Sequence, residues 1–528
     1  MILQRIGNRG IRLGTLFERA ARNHTANHLI LDHDLDIAPQ LGRRPTIAEV
    51  AELVDDWSAR LWAAGVRPGE HVVVFKSSSF DIPLLACAIA RIGGIPVLLS
   101  PKLDGGVVDT LVRRIGAPYL LTDQPMLADV LNPAIFDAAG RVLLASGRHP
   151  RATELSSLDA AERITPIAVS ADRPALVTHT SGTTGTPKLA VHTGRTLQAR
   201  FRPQALATGL VRTRRPVAIH VSFVHSRLFT ALAVTLLRGF PLLVLADDDP
   251  DRVAEMFLRV RPGAIEAHPN SFMRWEDLAE DPRRPLASVK FFSSTFDALH
   301  PRTVRRMLDA SDHRLPVFGQ LYGQSEVGPV VARAFTKFRS RASDGRCVGM
   351  PFPGMTGIRV VSRGGGRPSA DSPGFIEVRT DGRILTYFGE DDRYACQEND
   401  GWWRMGDVGY RTRWGCVHLL DREVDMIPGF GSTLAAEDVL LNWLHQITEV
   451  VIVPNEDGAP IPVVCTKDDQ PLDREAWRLA AATLPPMSDP VQWRLADLPH
   501  TATTKIKRLE LARLLGDDQN RSDQPQRV

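Results

Sequence analysis

The sequence has few cysteines and no excess of either charge. Its five cysteines are odd in number and far apart, without a C-x-x-C spacing, which argues against a disulfide framework and a zinc motif. Lysine and arginine total 64 against 61 acidic residues, so the net charge is only +3. This balance leaves no electrostatic footprint for nucleic acid or for an anionic membrane. The cysteine usage predicts a reducing, cytoplasmic environment.

Long hydrophobic runs are also missing. The most apolar stretch, Ile82 to Leu99, is interrupted by Arg91, two glycines and Pro96, which favours a buried helix followed by a strand over a membrane span. The first ten residues contain arginine where a signal peptide requires an apolar run. Hydrophobic residues make up 43% and charged residues 24% of 528 positions, proportions typical of a globular protein with a large core.

Helices alternate with apolar strands along most of the chain. The stretch 46–64 is amphipathic and begins with a capping-box pattern, Thr46 and Glu49. An apolar strand, 72–75, follows it. Alternating helices and apolar strands predict parallel sheets covered on both faces. The same alternation predicts helices at Pro83–Ile92, Arg252–Val260 and Thr303–Leu308, and strands at Ile95–Leu99, Ala264–Ala267 and Ser288–Phe292.

The pattern changes after about residue 355. Shorter strands with turn residues are predicted at 374–379 and 415–420. The last hundred residues indicate a small α+β unit, with strands at 450–453 and 462–466 and a helix at 474–482. We therefore predict an α/β protein with a large multi-layer N-terminal domain (1–421), a small C-terminal α+β domain (422–515) and a disordered polar tail (516–528).

A loop rich in glycine and hydroxyl groups follows the predicted strand 174–178. It reads T-H-T-S-G-T-T-G-T-P-K from Thr178 to Lys188. Its glycines allow close backbone approach, and its hydroxyls and Lys188 add polar contacts, a combination that suits a polyphosphate. The spacing excludes the P-loop motif. A flexible surface linker is the alternative interpretation.

Three further motifs follow in order. The sequence Q-L-Y-G-Q-S-E spans 320–326; G-W-W-R-M-G-D spans 401–407 and is followed by Asp421-Arg422; a threonine-rich loop around Lys505 lies near the end. In this order and at these spacings, the four motifs resemble the adenylate-forming superfamily, which includes acyl-CoA ligases, firefly luciferase and peptide-synthetase adenylation domains. The resemblance covers roughly residues 16–515.

The resemblance implies two half-reactions and a mobile C-terminal lid. A carboxylic acid attacks the α-phosphate of ATP and releases pyrophosphate; the lid then rotates, and a thiol attacks the acyl adenylate. The implied cofactors are ATP, Mg²⁺ and CoA, or the phosphopantetheine of a carrier protein, and a carrier protein or a partner ligase is a further implied partner. The expected substrate belongs to specialised metabolism.

The resemblance also implies roles for individual residues. Lys505 would bridge the carboxylate and the α-phosphate, and Glu326 and Thr184 would hold Mg²⁺. Tyr322 would stack on adenine, and Asp407 would bind the ribose hydroxyls. The acyl pocket would involve Phe223, His225 and Ser294, and the CoA tunnel Gly429 and Gly431. The implied nucleotide-binding set is Thr180, Ser181, Gly182, Thr183, Thr184, Gly185, Lys188, Thr295, Phe296, Asp297, Tyr322, Gly323, Ser325, Asp407 and Arg422.

Structural alternatives exist for several of these residues. Lys505 alone is compatible with a solvated surface lysine, because most lysines are exposed. His225 beside apolar residues is compatible with a satisfied core histidine. Asp407 in a glycine turn is compatible with a simple turn acceptor.

The sequence departs from the family pattern at four places. Leu189 replaces a glycine and Ser325 a threonine, and both are tolerable. Phe296 puts a large ring where related enzymes have a small glycine, which reshapes the acyl pocket or crowds ATP. In the hinge, Val424, Pro428, Thr433 and Ala436 replace the acid or base, lysine, arginine and proline of the pattern, so one half-reaction is expected to be altered or lost.

These departures leave three hypotheses open. The leading one is an AMP-forming acid–thiol ligase of the acyl-CoA synthetase type. A split-function relative that carries only one half-reaction is the second, and a catalytically inactive binding module is the third.

Overall fold

The structure is a computed structural model. It describes residues 11–158, 162–180, 186–209, 211, 213–296, 299–338, 345–455, 458–501 and 506–522, the last six of these by their backbone alone. Within these ranges, no helix combines the length and the apolar character needed to cross a bilayer.

The helices begin where the sequence offers caps. Thr46 Oγ1 accepts the Glu49 N–H at 3.2 Å, and Glu49 Oε2 accepts the Thr46 N–H at 2.7 Å, which confirms the predicted capping box. The α-helices are Leu16–Asn23, Ile47–Ala63, Asp81–Arg91, Gly105–Ile115, Gln124–Asp129, Ile135–Ala138, Gly194–Gly209, Ser226–Leu237, Pro250–Val260, Pro269–Arg274, Pro301–Ala310, Asp391–Ala395, Thr433–Trp443, Arg474–Ala481 and Arg508–Ser522.

The largest sheet of the described residues has 13 strands. Its first six strands pair in parallel, as predicted for strands that alternate with helices, and its remaining pairs are antiparallel. In spatial order the strands are Leu29–Leu31, Leu242–Val244, Val217–His220, Ala264–Ala267, Phe291–Ser294, Val317–Gln324, Gly328–Phe335, Cys347–Pro351, Val417–Arg422, Trp402–Arg411, Gly374–Thr380 and Thr356–Val361, with Glu398–Asn399 beside Trp402–Arg411.

The second sheet has eight strands and is parallel except at one edge. That edge carries the hairpin 174–193, which contains the glycine-rich loop. In spatial order the strands are Thr386–Tyr387, Leu189–Thr193, Pro174–His179, Ile95–Leu98, His71–Val74, Tyr119–Thr122, Arg141–Leu144 and Thr153–Glu154.

Helices fill the space between the two large sheets. One apolar core joins Leu85 and Leu232, which lie on helices, to Leu121 of the eight-stranded sheet and Leu242 of the 13-stranded sheet, and all four are fully buried. Burial of leucine side chains of this kind stabilises the fold by about 1.5–3 kcal/mol each. The predicted class, a large multi-layer α/β domain with a small α+β unit, is confirmed.

The C-terminal unit has its own small sheet. Its three strands are Ile447–Val453, Ile461–Thr466 and Val491–Gln492, and helices Thr433–Trp443 and Arg474–Ala481 pack beside them. The strand 417–422 belongs to the large sheet. This strand ends one residue beyond the predicted boundary at 421, and the division into domains stays a prediction.

Two sequence predictions are wrong in detail. The strand expected at 288–292 is Phe291–Ser294, because Ser288 instead donates its hydroxyl to the Pro262 carbonyl before the strand begins. The tail expected to be disordered from residue 516 is helical as far as Ser522, since helix Arg508–Ser522 continues past Gly516. Residues 523–528 lie outside the described ranges.

Candidate active site

The glycine-rich loop joins two antiparallel strands of the eight-stranded sheet. Thr180 and Lys188 close it: the Thr180 N–H donates to the Lys188 carbonyl at 2.9 Å, and the Lys188 N–H donates to Thr180 Oγ1 at 3.2 Å. Residues 181–185, which include the predicted metal ligand Thr184, lie outside the described ranges. These two hydrogen bonds define the base of the loop, and the Lys188 side chain extends from it to Tyr387.

A tyrosine connects Lys188 to Glu326. Lys188 Nζ donates to Tyr387 Oη at 3.2 Å and lies 4.5 Å from the centre of its ring, while Tyr387 donates to Glu326 Oε1 at 2.6 Å. Burial and the neighbouring carboxylate raise the pKa of Tyr387, so its hydroxyl stays a donor at neutral pH. The fully buried Tyr387 was missed by sequence reasoning, because it lies 61 residues from Glu326 in an ordinary apolar segment.

Glu326 lies near the base of the loop, linked to Lys188 through Tyr387. Glu326 is only 8% exposed, and the described residues contain no cluster of three or more potential metal ligands. Mg²⁺ is commonly held by one or two carboxylates together with substrate phosphates. Glu326 therefore fits a metal that ATP itself would mostly coordinate.

Tyr322 and Asp407 lie together in a cleft of about 340 Å³ between the large sheet and the C-terminal unit. Tyr322 Oη donates to Asp407 Oδ2 at 2.6 Å, and Arg422 Nε lies 3.9 Å from Asp407 Oδ1. Burial, and then the charge of Asp407, raise the pKa of Tyr322 well above its ordinary value. The adjacent Gly323 is required sterically, since a Cβ there would lie 2.0 Å from the Gly328 carbonyl oxygen.

Residues that follow Lys505 reach the same cleft. Ile506 and Arg508 line it with Tyr322, whereas Lys505 itself lies outside the described ranges. Arg508 is anchored by two hydrogen bonds to Glu437, of 2.6 and 2.7 Å. The segment that carries Lys505 is therefore attached beside the nucleotide candidates.

Arg200 is a buried cation that sequence reasoning missed. It donates to the Gly382 carbonyl at 2.7 Å, to the Ser325 carbonyl at 2.9 Å and to Ser226 Oγ at 3.0 Å. Burial lowers the pKa of Arg200 to about 9, and the charge of Glu326 opposes that shift. Arg200 thus stays protonated at neutral pH and holds three segments around Glu326.

Phe296 has a backbone conformation that side chains rarely adopt. Its φ is +88°, in the region that favours glycine, the residue expected here from the family pattern. Its ring lines the cleft and packs against His225 and His268, with centroid distances of 4.7 and 4.4 Å. The following residue, Asp297, lies outside the described ranges.

His225 is a neutral donor. Its Nδ1 accepts the Arg227 N–H at 3.0 Å, so Nε2 carries the proton and lies 3.3 Å from Ser325 Oγ. Burial, followed by the charge of Arg200, lowers the pKa of His225 well below its usual range. Phe223 points into another cluster, where its ring lies 6.0 Å from those of Phe80 and His33.

Three buried polar atoms near Phe296 have no hydrogen-bond partner. They are His268 Nδ1, Ser294 Oγ and Thr295 Oγ1. Burial lowers the pKa of His268 to about 3, so its imidazole stays neutral. His268 was missed by sequence reasoning, because an isolated histidine before a proline carries no motif.

In the hinge region, a residue that departs from the family pattern forms structural hydrogen bonds. Thr433, which replaces an arginine, donates its hydroxyl to Asp421 Oδ1 at 2.6 Å and its N–H to the same oxygen at 3.1 Å. Burial raises the pKa of Asp421 to about 6, and these hydrogen bonds oppose the shift. Gly429 and Gly431 have φ values of +77° and +89°, and a Cβ at either position would contact nothing within 4 Å.

The structure gathers most of the described candidates at one place. Lys188 joins Glu326 through Tyr387, Tyr322 joins Asp407 and Arg422, and Ser325 joins His225. Phe223 lies with other aromatic rings instead. The catalytic, metal-binding and nucleotide-binding roles of these residues stay predictions.

Comparison with known proteins gives a consistent family. The family model described as AMP-binding enzyme matches residues 17–388. The chain is 46% identical to 3-amino-2-hydroxy-4-methoxybenzoate diazotase of Streptomyces cremeus, over 97% of each chain. It is 25% identical to 3-aminoavenalumate diazotase of a Streptomyces species, over 91% of each chain.

A solved structure has the same fold. It is an anthranilate CoA ligase in complex with anthranoyl-AMP, with a TM-score of 0.81 and 17% identity, covering 96% of this chain and 98% of that chain. At this identity the similarity concerns the fold alone.

Proposed function

The chain belongs to the AMP-binding enzyme family, the adenylate-forming superfamily of acyl-CoA ligase type, and on that premise we propose that it is an ATP-dependent diazotase of an aromatic amine. The observation that carries this proposal is the 46% identity to a diazotase along 97% of both chains. The substrate class we propose is an aminobenzoate-type amine of specialised metabolism.

Diazotisation can use the adenylation chemistry of the family. A nitrite oxygen attacks the α-phosphorus of ATP, the bond to the β-phosphate oxygen breaks, and pyrophosphate leaves. The arylamine nitrogen then attacks the nitrosyl nitrogen of the resulting mixed anhydride, with loss of AMP and a proton. Protonation of the N-nitrosamine and loss of water yield the aryldiazonium ion. No oxidant or reductant is needed, because nitrite supplies the second nitrogen at the required oxidation level.

Polar groups of the four motifs suit the first step. Lys188 and the loop would hold the β- and γ-phosphates, Tyr322 and Asp407 the nucleoside, and Lys505 the developing charge at the α-phosphate. Such fixed donors lower the barrier of phosphoryl transfer, a reaction that depends mostly on positioning and charge neutralisation. Bound at Glu326, Mg²⁺ would supply further neutralisation of phosphate charge.

The hinge supports an amine acceptor rather than a thiol. Thr433 hydrogen-bonds Asp421, and Val424 is 58% exposed without a charge to offer. The side chains that the family pattern uses beside its thiol tunnel are therefore absent or differently engaged. An aromatic amine needs no tunnel for a phosphopantetheine arm. Thioester formation with CoA, which the resemblance implies, is the competing outcome.

The test is pyrophosphate release from ATP and Mg²⁺ with nitrite or with aryl carboxylates, each with and without CoA. We expect release that requires nitrite, and a diazonium product that an electron-rich naphthol traps as an azo dye when 3-aminobenzoates are added. Carboxylate-dependent release that leads to a CoA thioester would instead establish the acyl-CoA ligase. Absence of release with every acid would favour the split-function or inactive alternatives.

A further inference from the structure

Buried hydrogen-bond donors beside Phe296 lack acceptors. His268 Nε2 accepts the Ser222 N–H at 3.0 Å, which leaves the imidazole proton on Nδ1. That Nδ1 is buried and unpartnered, and so is the hydroxyl oxygen of Thr295, the residue before Phe296. Buried polar groups in folded proteins are almost always satisfied, so these two donors can serve a ligand that accepts hydrogen bonds.

The register of the sheet brings these groups together. Ala267 and Ser294 are paired on neighbouring parallel strands, Ala264–Ala267 and Phe291–Ser294. His268 and Thr295 follow this pair directly and therefore lie side by side where both strands end. In open α/β sheets, ligands bind beyond the carboxyl ends of the strands.

Phe296 separates these groups from the nucleotide side. Its ring lines the cleft that Tyr322 and Asp407 also line, whereas His268, Ser294 and Thr295 do not line that cleft. The ring lies 4.4 Å from the His268 ring, and it is held there by a backbone with φ +88°. Strained backbone conformations of this kind cluster at active sites and ligand-binding sites.

The surroundings favour an anion over a cation. His268 is neutral, since burial lowers its pKa to about 3, and it presents an N–H. The nearby carboxylate of Glu266 is neutralised by Arg227, whose Nη2 lies 2.7 Å from it. The other ring next to Phe296, His225, is also a neutral donor. The surroundings of His268 and Thr295 therefore offer hydrogen-bond donors without an uncompensated negative charge.

We propose that His268 Nδ1–H and the Thr295 hydroxyl bind the small oxyanion that attacks ATP, and that Phe296 excludes aryl carboxylates from this position. This inference rests on the proposed diazotase function. Nitrite has only three heavy atoms, whereas a benzoate placed with its carboxylate at the same donors needs the volume that Phe296 occupies. Phe296 thus sets the choice between nitrite and an aromatic acid.

The first test compares two substitutions of one histidine. His268→Gln can keep an acceptor for the Ser222 N–H but has no donor at the position of Nδ1, whereas His268→Asn keeps a donor there. We expect His268→Gln to raise the KM for nitrite about ten- to a hundredfold and to leave the KM values of ATP and amine unchanged. His268→Asn should lose much less. Equal effects of both variants on all three KM values would overturn the assignment and indicate a structural role.

A second pair protects the test against misfolding. Thr295→Val has nearly the volume of threonine and removes the hydroxyl, and Thr295→Ser keeps it. The nitrite KM should rise in the valine variant and stay near the native value in the serine variant. An unchanged nitrite KM in a folded Thr295→Val protein would remove Thr295 from the site.

The third test concerns Phe296. Because glycine adopts a φ of +88° without strain, Phe296→Gly should fold, and we expect it to release pyrophosphate with benzoates that the native enzyme rejects. Phe296→Leu, which keeps an apolar side chain, should not. Native enzyme that ignores nitrite contradicts the proposed function. Native enzyme that uses nitrite, together with a Phe296→Gly variant that still rejects benzoates, contradicts only this inference.

Discussion

The two sides of Phe296 are built in opposite ways. On the nucleotide side the polar side chains are partnered: Lys188 with Tyr387, Tyr387 with Glu326, and Tyr322 with Asp407. On the other side, His268 and Thr295 have buried polar atoms without partners, and the backbone of Phe296 is strained. A partnered network can be kept unchanged for any ATP-dependent adenylation. Unpartnered donors and strain cost stability, and their presence locates the part of the site adapted to a particular substrate.

The largest effect is expected from a substitution that disrupts the predicted nucleotide-binding residues. Lys505→Ala should lower the rate of pyrophosphate release about a hundred- to a thousandfold, because a fixed positive charge at the α-phosphate is removed. The matched control is Lys507→Ala, since Lys507 lies two residues away and forms a 2.8 Å ion pair with Glu510. Similar losses in both variants would mean that the segment, and not the Lys505 charge, is responsible.

A smaller effect tests whether ATP binding and nitrite binding depend on different residues. Tyr387→Phe removes the hydroxyl that joins Lys188 to Glu326 and should raise the KM for ATP about tenfold. The KM for nitrite should not change. Tyr394→Phe is the control, because its hydroxyl donates to the Ile384 carbonyl at 3.2 Å and does not touch Glu326. A change in the KM for nitrite alone would show that Tyr387 acts on nitrite binding and not on ATP binding.

Four buried histidines predict a dependence of stability on pH. Burial lowers the pKa of His179, His192, His225 and His268 below the ordinary 6.5. The unfolded chain therefore binds more protons, so these residues contribute stability above pH 6.5 that is lost as the pH falls toward 3. Urea unfolding at pH 6.5 and 5.5 should show a decrease, and His268→Gln should reduce it by about 1 kcal/mol. An identical decrease in that variant would show that His268 titrates in the native state as it does in the unfolded chain.

The hinge carries a pH effect of the opposite sign. Burial raises the pKa of Asp421 to about 6 from 3.8. The native state therefore binds this proton more tightly, and the contribution to stability is full below pH 3.8 and is lost as the pH rises through 6. Asp421→Asn should gain about 2 kcal/mol relative to the native protein between pH 4 and pH 7, measured by urea unfolding. A constant difference across this range would mean that Asp421 titrates normally.

Local patterns accounted for much of the fold. The capping box of Thr46 and Glu49 and the strand at 264–267 involve neighbours in sequence, where side-chain spacing and apolar periodicity are decisive. The chain end at 516–522 was predicted wrongly because a polar composition does not prevent a helix from continuing. Motifs likewise led to Lys188, Glu326, Tyr322 and Asp407, which the structure brings to one region.

By itself, the sequence determined the family and the set of polar residues predicted to bind the nucleotide, because those residues occur in short motifs with fixed spacing. Only the tertiary structure decided that Tyr387 connects Lys188 to Glu326, that Arg200 supports them, and that His268 and Thr295 stand unpartnered behind Phe296. These relations join residues that are tens to hundreds of positions apart. They arise from the pairing of strands and from burial, which remove water and leave each polar atom either partnered or ready for a ligand.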